Sequence, residues 1–217
     1  MASWMIHLRI AQALSDKRKD LPLIPLIMGN LAPDSGVPTD DGHGFIPDKH
    51  ISHFSFTDDR GKMHIHPEKF EAQYLSAPPQ DMVAYSFYIG YYTHLVTDRQ
   101  WIEEIYPLGI ASFPALYQGD KKIFAATIKA DWYDMDFKFL KAHPDFPAWA
   151  IYQNAPPFKN QFLDFFSEDA IESRKSVIME FYQRGIKAYA ERKNHLTDDD
   201  LSAFVDKTVS LVLDRFA

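Results

Sequence analysis

His94 and Asp98 stand four residues apart in the apolar run Gly90-Tyr91-Tyr92-Thr93-His94-Leu95-Val96-Thr97-Asp98. On a helix, that spacing sends both side chains out of one face. An imidazole and a carboxylate on adjacent turns can hold a metal ion, or can form a core pair in which the carboxylate orients the ring. Three further residues belong to the same chemistry. His7 lies among Ile6, Leu8 and Ile10; Asp34 follows Ala32-Pro33; His53 closes a long loop at Ser52-His53-Phe54. Singly, each has an ordinary reading: a packed or surface histidine, a turn aspartate, a loop histidine. Together, three histidines and two aspartates arrive from separate segments, as in helical bundles that build metal sites from inward-pointing side chains. Buried charge of this kind is costly unless a metal or a partner offsets it.

The elements that must position these residues are mostly helices. Ser3 can cap a first helix carrying Ile6, Ile10, Ala13 and Leu14, ending in the charged stretch Asp16 to Asp20. Pro25 can start a short apolar helix, Leu26 to Met28, that stops at Gly29-Asn30. The Pro-, Gly- and Asp-rich segment Leu31 to His50 then predicts one long irregular loop, and Pro33 predicts extended backbone at Ala32. A loop of that length in a compact domain is usually functional or disordered. Phe54-Ser55-Phe56 and Met63-His64-Ile65 flank Asp58-Asp59-Arg60-Gly61, a small hairpin near 54–66 and the only strand signal. Helices are expected over Pro67–Leu75, Pro79–Tyr106, Lys121–Ala142, Phe158–Phe166 and Glu168–Lys193, with Thr197 capping the last. The expected fold is all-α: a multi-helix bundle in a single domain over residues 1–217, with one long N-terminal loop.

Other candidates carry weaker signals. Asp131 and Asp134, three apart, share a helix face and could add ligands, or form a solvated acidic surface. His64 and His66 alternate across Ile65; His43 and His50 lie in the long loop; His143 and His195 read as helix-end residues. The cluster Tyr85, Tyr88, Tyr91 and Tyr92 reads as core. No glycine-rich phosphate loop, nucleophile elbow or dinucleotide fingerprint occurs.

Composition sets the outer bounds. The net charge of -7 disfavours a dedicated nucleic-acid module and an anionic membrane surface, although a bound cation would reverse the local field. With no cysteine, any metal must be held by imidazole and carboxylate, a donor set that suits zinc and also admits iron, manganese or nickel. The N-terminus lacks a basic segment followed by a long apolar run, and no apolar stretch reaches about 18 residues. The expectation is a cytoplasmic protein without a transmembrane segment.

Four segments carry a resemblance: Ser3-Trp4-Met5-Ile6-His7, Gly29-Asn30-Leu31-Ala32-Pro33-Asp34-Ser35-Gly36, Ser52-His53-Phe54 and Gly90 to Asp98. In order and approximate spacing the chain resembles the zinc-dependent phospholipase C family, and an intracellular bacterial branch of uncharacterised hydrolases more than the secreted enzymes. Asp131-Trp132-Tyr133-Asp134-Met135-Asp136-Phe137 and His143-Pro144-Asp145-Phe146 extend the likeness. The family shares an all-helical fold with the zinc-dependent nucleases.

The resemblance implies that Asp34, His53, His94 and Asp98 hold one metal ion, and that His7 holds a second, with Asp98 bridging. It implies two zinc ions and a hydrolase of small-molecule or lipid phosphate esters, in which Asp34 also aligns the attacking water. Two departures bear on a third ion. Trp4, whose counterpart in secreted members supplies a terminal amine ligand, is preceded by three residues, and the later His, His and Glu ligands are missing. Glu103, Glu104, Asp131 and Asp134 are candidate substitutes. The rival readings are a non-catalytic protein that keeps the metal pocket for structure or binding, and a nuclease-like phosphodiesterase acting on single strands. The sequence does not set the oligomeric state.

Overall fold

The computed structural model describes residues 1–41, 43–77 and 80–216. Helix α1 spans Trp4–Lys17, with the Ser3 hydroxyl accepting the Ile6 N–H at its start. It lies between two apolar clusters. Met5, Leu8, Ala11 and Leu14 face the larger one, and Ile6 and Ile10 face the smaller. His7 falls on the remaining buried strip of this helix and is completely enclosed.

Helix α2 spans Leu23–Leu31 and does not stop at Gly29-Asn30 as the sequence suggests. Gly29 is there for contact rather than termination. A Cβ at Gly29 would lie 2.0 Å from the Phe87 carbonyl oxygen, and one at Gly90 would lie 2.2 Å from that of Leu26. Two glycines thus let α2 press against α5, Met82–Gln100, backbone to backbone. This pairing is the most extensive between any two elements. It brings Asn30 to His94.

Past α2 the chain makes a 3₁₀ turn, Ala32–Asp34. Ala32 is helical (φ -60°, ψ -38°), not extended. The steric preference before proline is modest, and the fully buried methyl of Ala32 is packed in the core. The expected irregular loop also carries structure. Strands β1, Val37–Pro38, and β2, Phe45–Ile46, pair antiparallel as a small ribbon. Helix α3, Lys49–Ser52, follows. The hairpin near 54–66 is present as β3, Ser55–Thr57, and β4, Met63–Ile65, with Phe56 opposite His64. It is therefore not the only paired segment.

Helix α4 spans Pro67–Tyr74. The expected start of the next helix at Pro79 lies outside the described residues; α5 begins at Met82, capped by the Asp81 carboxylate. A wider π-turn, Trp101–Ile105, joins it to α6, Tyr106–Ser112. Pro107 has no N–H to give to the carbonyl four residues back, which favours widening there. The turn buries Trp101 and Ile105 in the smaller cluster.

Helix α7 spans Pro114–Gly119, α8 spans Lys121–Ala142 and α9 spans Pro147–Asn154. The helix expected over Phe158–Phe166 is absent. Asn160 organises that stretch instead, accepting from the N–H groups of Phe162 and Leu163 and donating to the carbonyls of Leu163 and Phe166. One side chain does the work of a helical ladder. Helices α10, Ala170–Ala188, and α11, Asp198–Arg215, complete the mostly helical fold. Thr197 and Asp200 form a reciprocal capping box on α11. Among the described residues, no helix is long and apolar enough to cross a membrane.

Candidate metal centre

Five side chains from four segments converge. His7 comes from α1, Asp34 from the 3₁₀ turn, His53 from the end of α3, and His94 and Asp98 from α5. His7, His53, His94 and Asp98 have fully buried side chains, while Asp34 is 12% exposed. Two overlapping groups have donor atoms close enough to share a cation: His7, His94 and Asp98; and Asp34, His53 and His94.

The distances argue for a cation rather than for hydrogen bonds. Asp98 Oδ1 is 3.5 Å from His7 Nε2, and Asp98 Oδ2 is 3.4 Å from His94 Nε2 and 3.6 Å from His53 Nε2. Asp34 Oδ1 is 3.5 Å from His53 Nε2, and the Nε2 atoms of His53 and His94 are 3.4 Å apart. These contacts exceed charge-assisted hydrogen bonds, but two ligands about 2.1 Å from a tetrahedral ion stand about 3.4 Å from each other. His7 Nε2 and Asp98 Oδ2 are buried with no hydrogen-bond partner. Such groups are costly unless satisfied. The residues fit a divalent cation.

The surrounding shell orients the rings. His94 Nδ1–H donates to the Asn30 carbonyl at 2.7 Å, which leaves Nε2 as the free lone pair. His7 Nδ1–H donates to Asn30 Oδ1 at 3.2 Å, while Asn30 Nδ2 donates to the His7 carbonyl at 3.3 Å. His53 Nδ1 meets Ser52 Oγ at 2.9 Å, and the Ser52 carbonyl accepts from the Tyr91 hydroxyl. Phe54, next to His53, holds a left-handed backbone (φ 48°). Its ring is gripped edge-on by Phe70, Tyr91 and Phe165, contacts that hold this unfavourable conformation. Asp34 Oδ2 accepts from the Trp4 indole N–H at 2.8 Å, and Asp98 Oδ1 accepts from the Ala2 backbone N–H at 2.7 Å.

Electrostatics set the protonation states. Burial, aided by neighbouring His94, pushes His7 down to about 4, so its ring is neutral near pH 7. Burial would lower His94 as well, but the Asp98 and Asp34 carboxylates outweigh it and raise its pKa. Burial opposes ionisation of Asp98, yet His94 and His7 hold it well below the usual carboxylate range. Asp34 is likewise held low, where His53, His94 and Lys49 overcome burial. Two anionic carboxylates and imidazole lone pairs aimed inward make a donor set for a hard-to-borderline divalent ion.

Two sequence candidates lie elsewhere. Asp131 on α8 lies 2.6 Å from His195 Nδ1 and also accepts from the His195 and Asn194 N–H groups. Asp134 pairs with Arg192. Neither joins the cluster. His195, expected at a helix C-terminal end, instead precedes the N-cap of α11, with its side chain buried against Asp131. His64 and His66 stack on Phe56 at the hairpin, and His50 meets Ser55 Oγ. The supporting residues Trp4, Asn30 and Ser52 were not identified as such from the sequence. A residue that serves by hydrogen-bonding a ligand from another segment leaves no spacing pattern.

No family model, curated protein or solved structure matches the chain.

Proposed function

We propose that the cluster holds two zinc ions and that the protein hydrolyses phosphate esters. The observation that carries this reading is the Asp98 carboxylate. One oxygen faces His7 and the other faces His94 and His53. An imidazole nitrogen has a single lone pair and serves one cation, whereas a carboxylate can serve two. Asp34, His53, His94 and Asp98 would hold one ion, and His7 with Asp98 the other. This matches the ligand set of the zinc-dependent phospholipase C family that the sequence resembles, and the phospholipase C and nuclease fold is part of the same proposal.

When bound, the paired ions supply Lewis acidity to a phosphoryl group and lower the pKa of an attacking water. The chain's own residues do the rest. Asp34 is the only one of the five with solvent access, which supports its carboxylate as the group that would take the proton of that water. Trp4 holds Oδ2 and so fixes which oxygen is free. Partial exposure at Asp34 also favours an open, reactive site over a closed structural one, in which protein atoms saturate every position.

The test is elemental analysis of the purified protein, followed by a panel of phosphate mono- and diesters. Stoichiometric zinc and hydrolysis, both lost in His94→Ala, are the expected result. A protein that binds no metal and keeps full stability under chelation overturns it.

A further inference from the structure

Two lysines stand over the one edge of the cluster that meets solvent. A cavity of about 180 Å³ opens beside Asp34, and Lys49 from α3 and Lys129 from α8 both line it. Its other walls are the N-terminal residues Met1, Ala2 and Ser3 and the rings of Trp4, Trp132 and Tyr133. A second cavity, about 240 Å³, lies on the far side of Trp4 and Asp34, and Lys49 borders that one too, with Phe45 and Arg174. The Lys49 ammonium sits 4.8 Å over the Phe45 ring. Among the described residues, neither Lys49 nor Lys129 pairs with a carboxylate, whereas Lys19, Lys138, Lys159 and Lys207 each do. In a chain with 30 acidic and 23 basic side chains, two lysines without a carboxylate partner lining one cavity make it locally more cationic than the chain as a whole.

The shape limits what enters. Each cavity lies below the range of about 300–1,000 Å³ that takes drug-sized ligands. The first suits a phosphoryl group and the first atoms of its ester, with apolar atoms against the aromatic walls. The charge limits it further. Three neutral imidazoles and two carboxylates around two divalent ions leave a surplus of positive charge, and the lysines add to it. A dianion gains about twice the Coulomb energy of a monoanion in that field. A diester must also set its second, uncharged ester arm against an ammonium group, and a cationic head group is repelled.

We infer that Lys49 and Lys129 form an anion-recognising rim that selects dianionic phosphate monoesters over monoanionic diesters. This rests on the reading of the cluster as a phosphate-ester site. The two lysines are specificity residues and touch no cluster ligand through a hydrogen bond or ion pair.

The experiment compares the protein with Lys49→Gln, Lys129→Gln and the double variant at pH 8. Inorganic phosphate is titrated calorimetrically into zinc-loaded and chelated protein, and kcat/KM is measured for p-nitrophenyl phosphate and bis-p-nitrophenyl phosphate. Each substitution is expected to weaken phosphate binding about five- to tenfold. It should lower the monoester-to-diester ratio by a similar factor, with zinc content unchanged. Phosphate affinity unaltered in the double variant, or an unaltered protein that prefers the diester, overturns the rim. Absence of zinc overturns the hydrolase reading instead; phosphate titration of the chelated chain then still decides the rim, supported by lysine-dependent binding and overturned by none.

Discussion

The imidazole rings of His7 and His94 lie face to face, 3.9 Å between centroids and 4° from parallel, with Asp98 beyond both Nε2 atoms. Two stacked rings at that distance cannot both be protonated without strong repulsion, and burial makes it worse. Burial and then the neighbouring His94 push His7 down, whereas the Asp98 and Asp34 carboxylates raise His94 against its burial. Asn30 imposes the stack, since its carbonyl holds one ring and its side-chain oxygen the other.

In the proposed two-ion site, both positions would depend on Asp98. Asp98→Asn keeps the shape but loses the charge and one anionic oxygen. We expect loss of the ion held with His7 and a drop of more than about 100-fold in affinity for the other, beyond what removal of an outer-shell partner costs. Elemental analysis and a zinc titration read this directly. Full stoichiometry in the variant would remove Asp98 as the bridge.

Trp4 acts at one remove. Its indole N–H fixes Asp34 Oδ2 at 2.8 Å, while its ring packs edge-on against Phe181 and Tyr182. Trp4→Phe keeps most of the packing and removes the donor. Affinity for the ion at Asp34 should fall about 10–100-fold. Unfolding free energy of the chelated protein should change by less than about 1.5 kcal/mol. A zinc titration with unaltered affinity would show that Asp34 needs no such anchor.

The ligand types and the helical pairing of His94 with Asp98 were legible because spacing within one helix encodes a face. The capping residues Ser3 and Thr197 were legible for the same local reason. What failed was non-local or too short to show a period. The ribbon of β1 and β2 has two residues per strand, and the Asn160-centred loop looks apolar enough to be helical. Asp131 and Asp134 have ligand-like spacing, yet His195, which claims Asp131, lies 64 residues away. Lys49 and Lys129 are ordinary in sequence and become neighbours of one cavity only through the fold.

Asp136 makes one separable contribution to the pH dependence of folding. It is buried, accepts from Ser3 Oγ at 2.8 Å and from the Tyr182 hydroxyl at 2.9 Å, and burial pushes its pKa up to about 7 from 3.8. Between those values the folded state binds a proton that the unfolded state does not, so this contribution is complete below pH 3.8 and is lost as pH rises through 7. Urea unfolding of chelated protein and of Asp136→Asn should show a stability difference, protein minus variant, that falls from pH 5 to pH 8. A difference that is flat or rises with pH would mean that the carboxyl is ionised in the fold.

Gly90 links the packing to the site. Its missing Cβ is what lets α5 lie on α2, since a methyl there would stand 2.2 Å from the Leu26 carbonyl oxygen and 2.8 Å from the Asn30 nitrogen. Both are backbone atoms that cannot rotate aside. Gly90→Ala must therefore push the helices apart, at about 1–3 kcal/mol or more. The same displacement draws the Asn30 carbonyl away from His94 Nδ1, which it now holds at 2.7 Å. Denaturant unfolding should report the first effect and weaker zinc binding the second, in one variant. An equally tight zinc site in a destabilised Gly90→Ala protein would separate them, and would show that His94 is aimed by α5 alone.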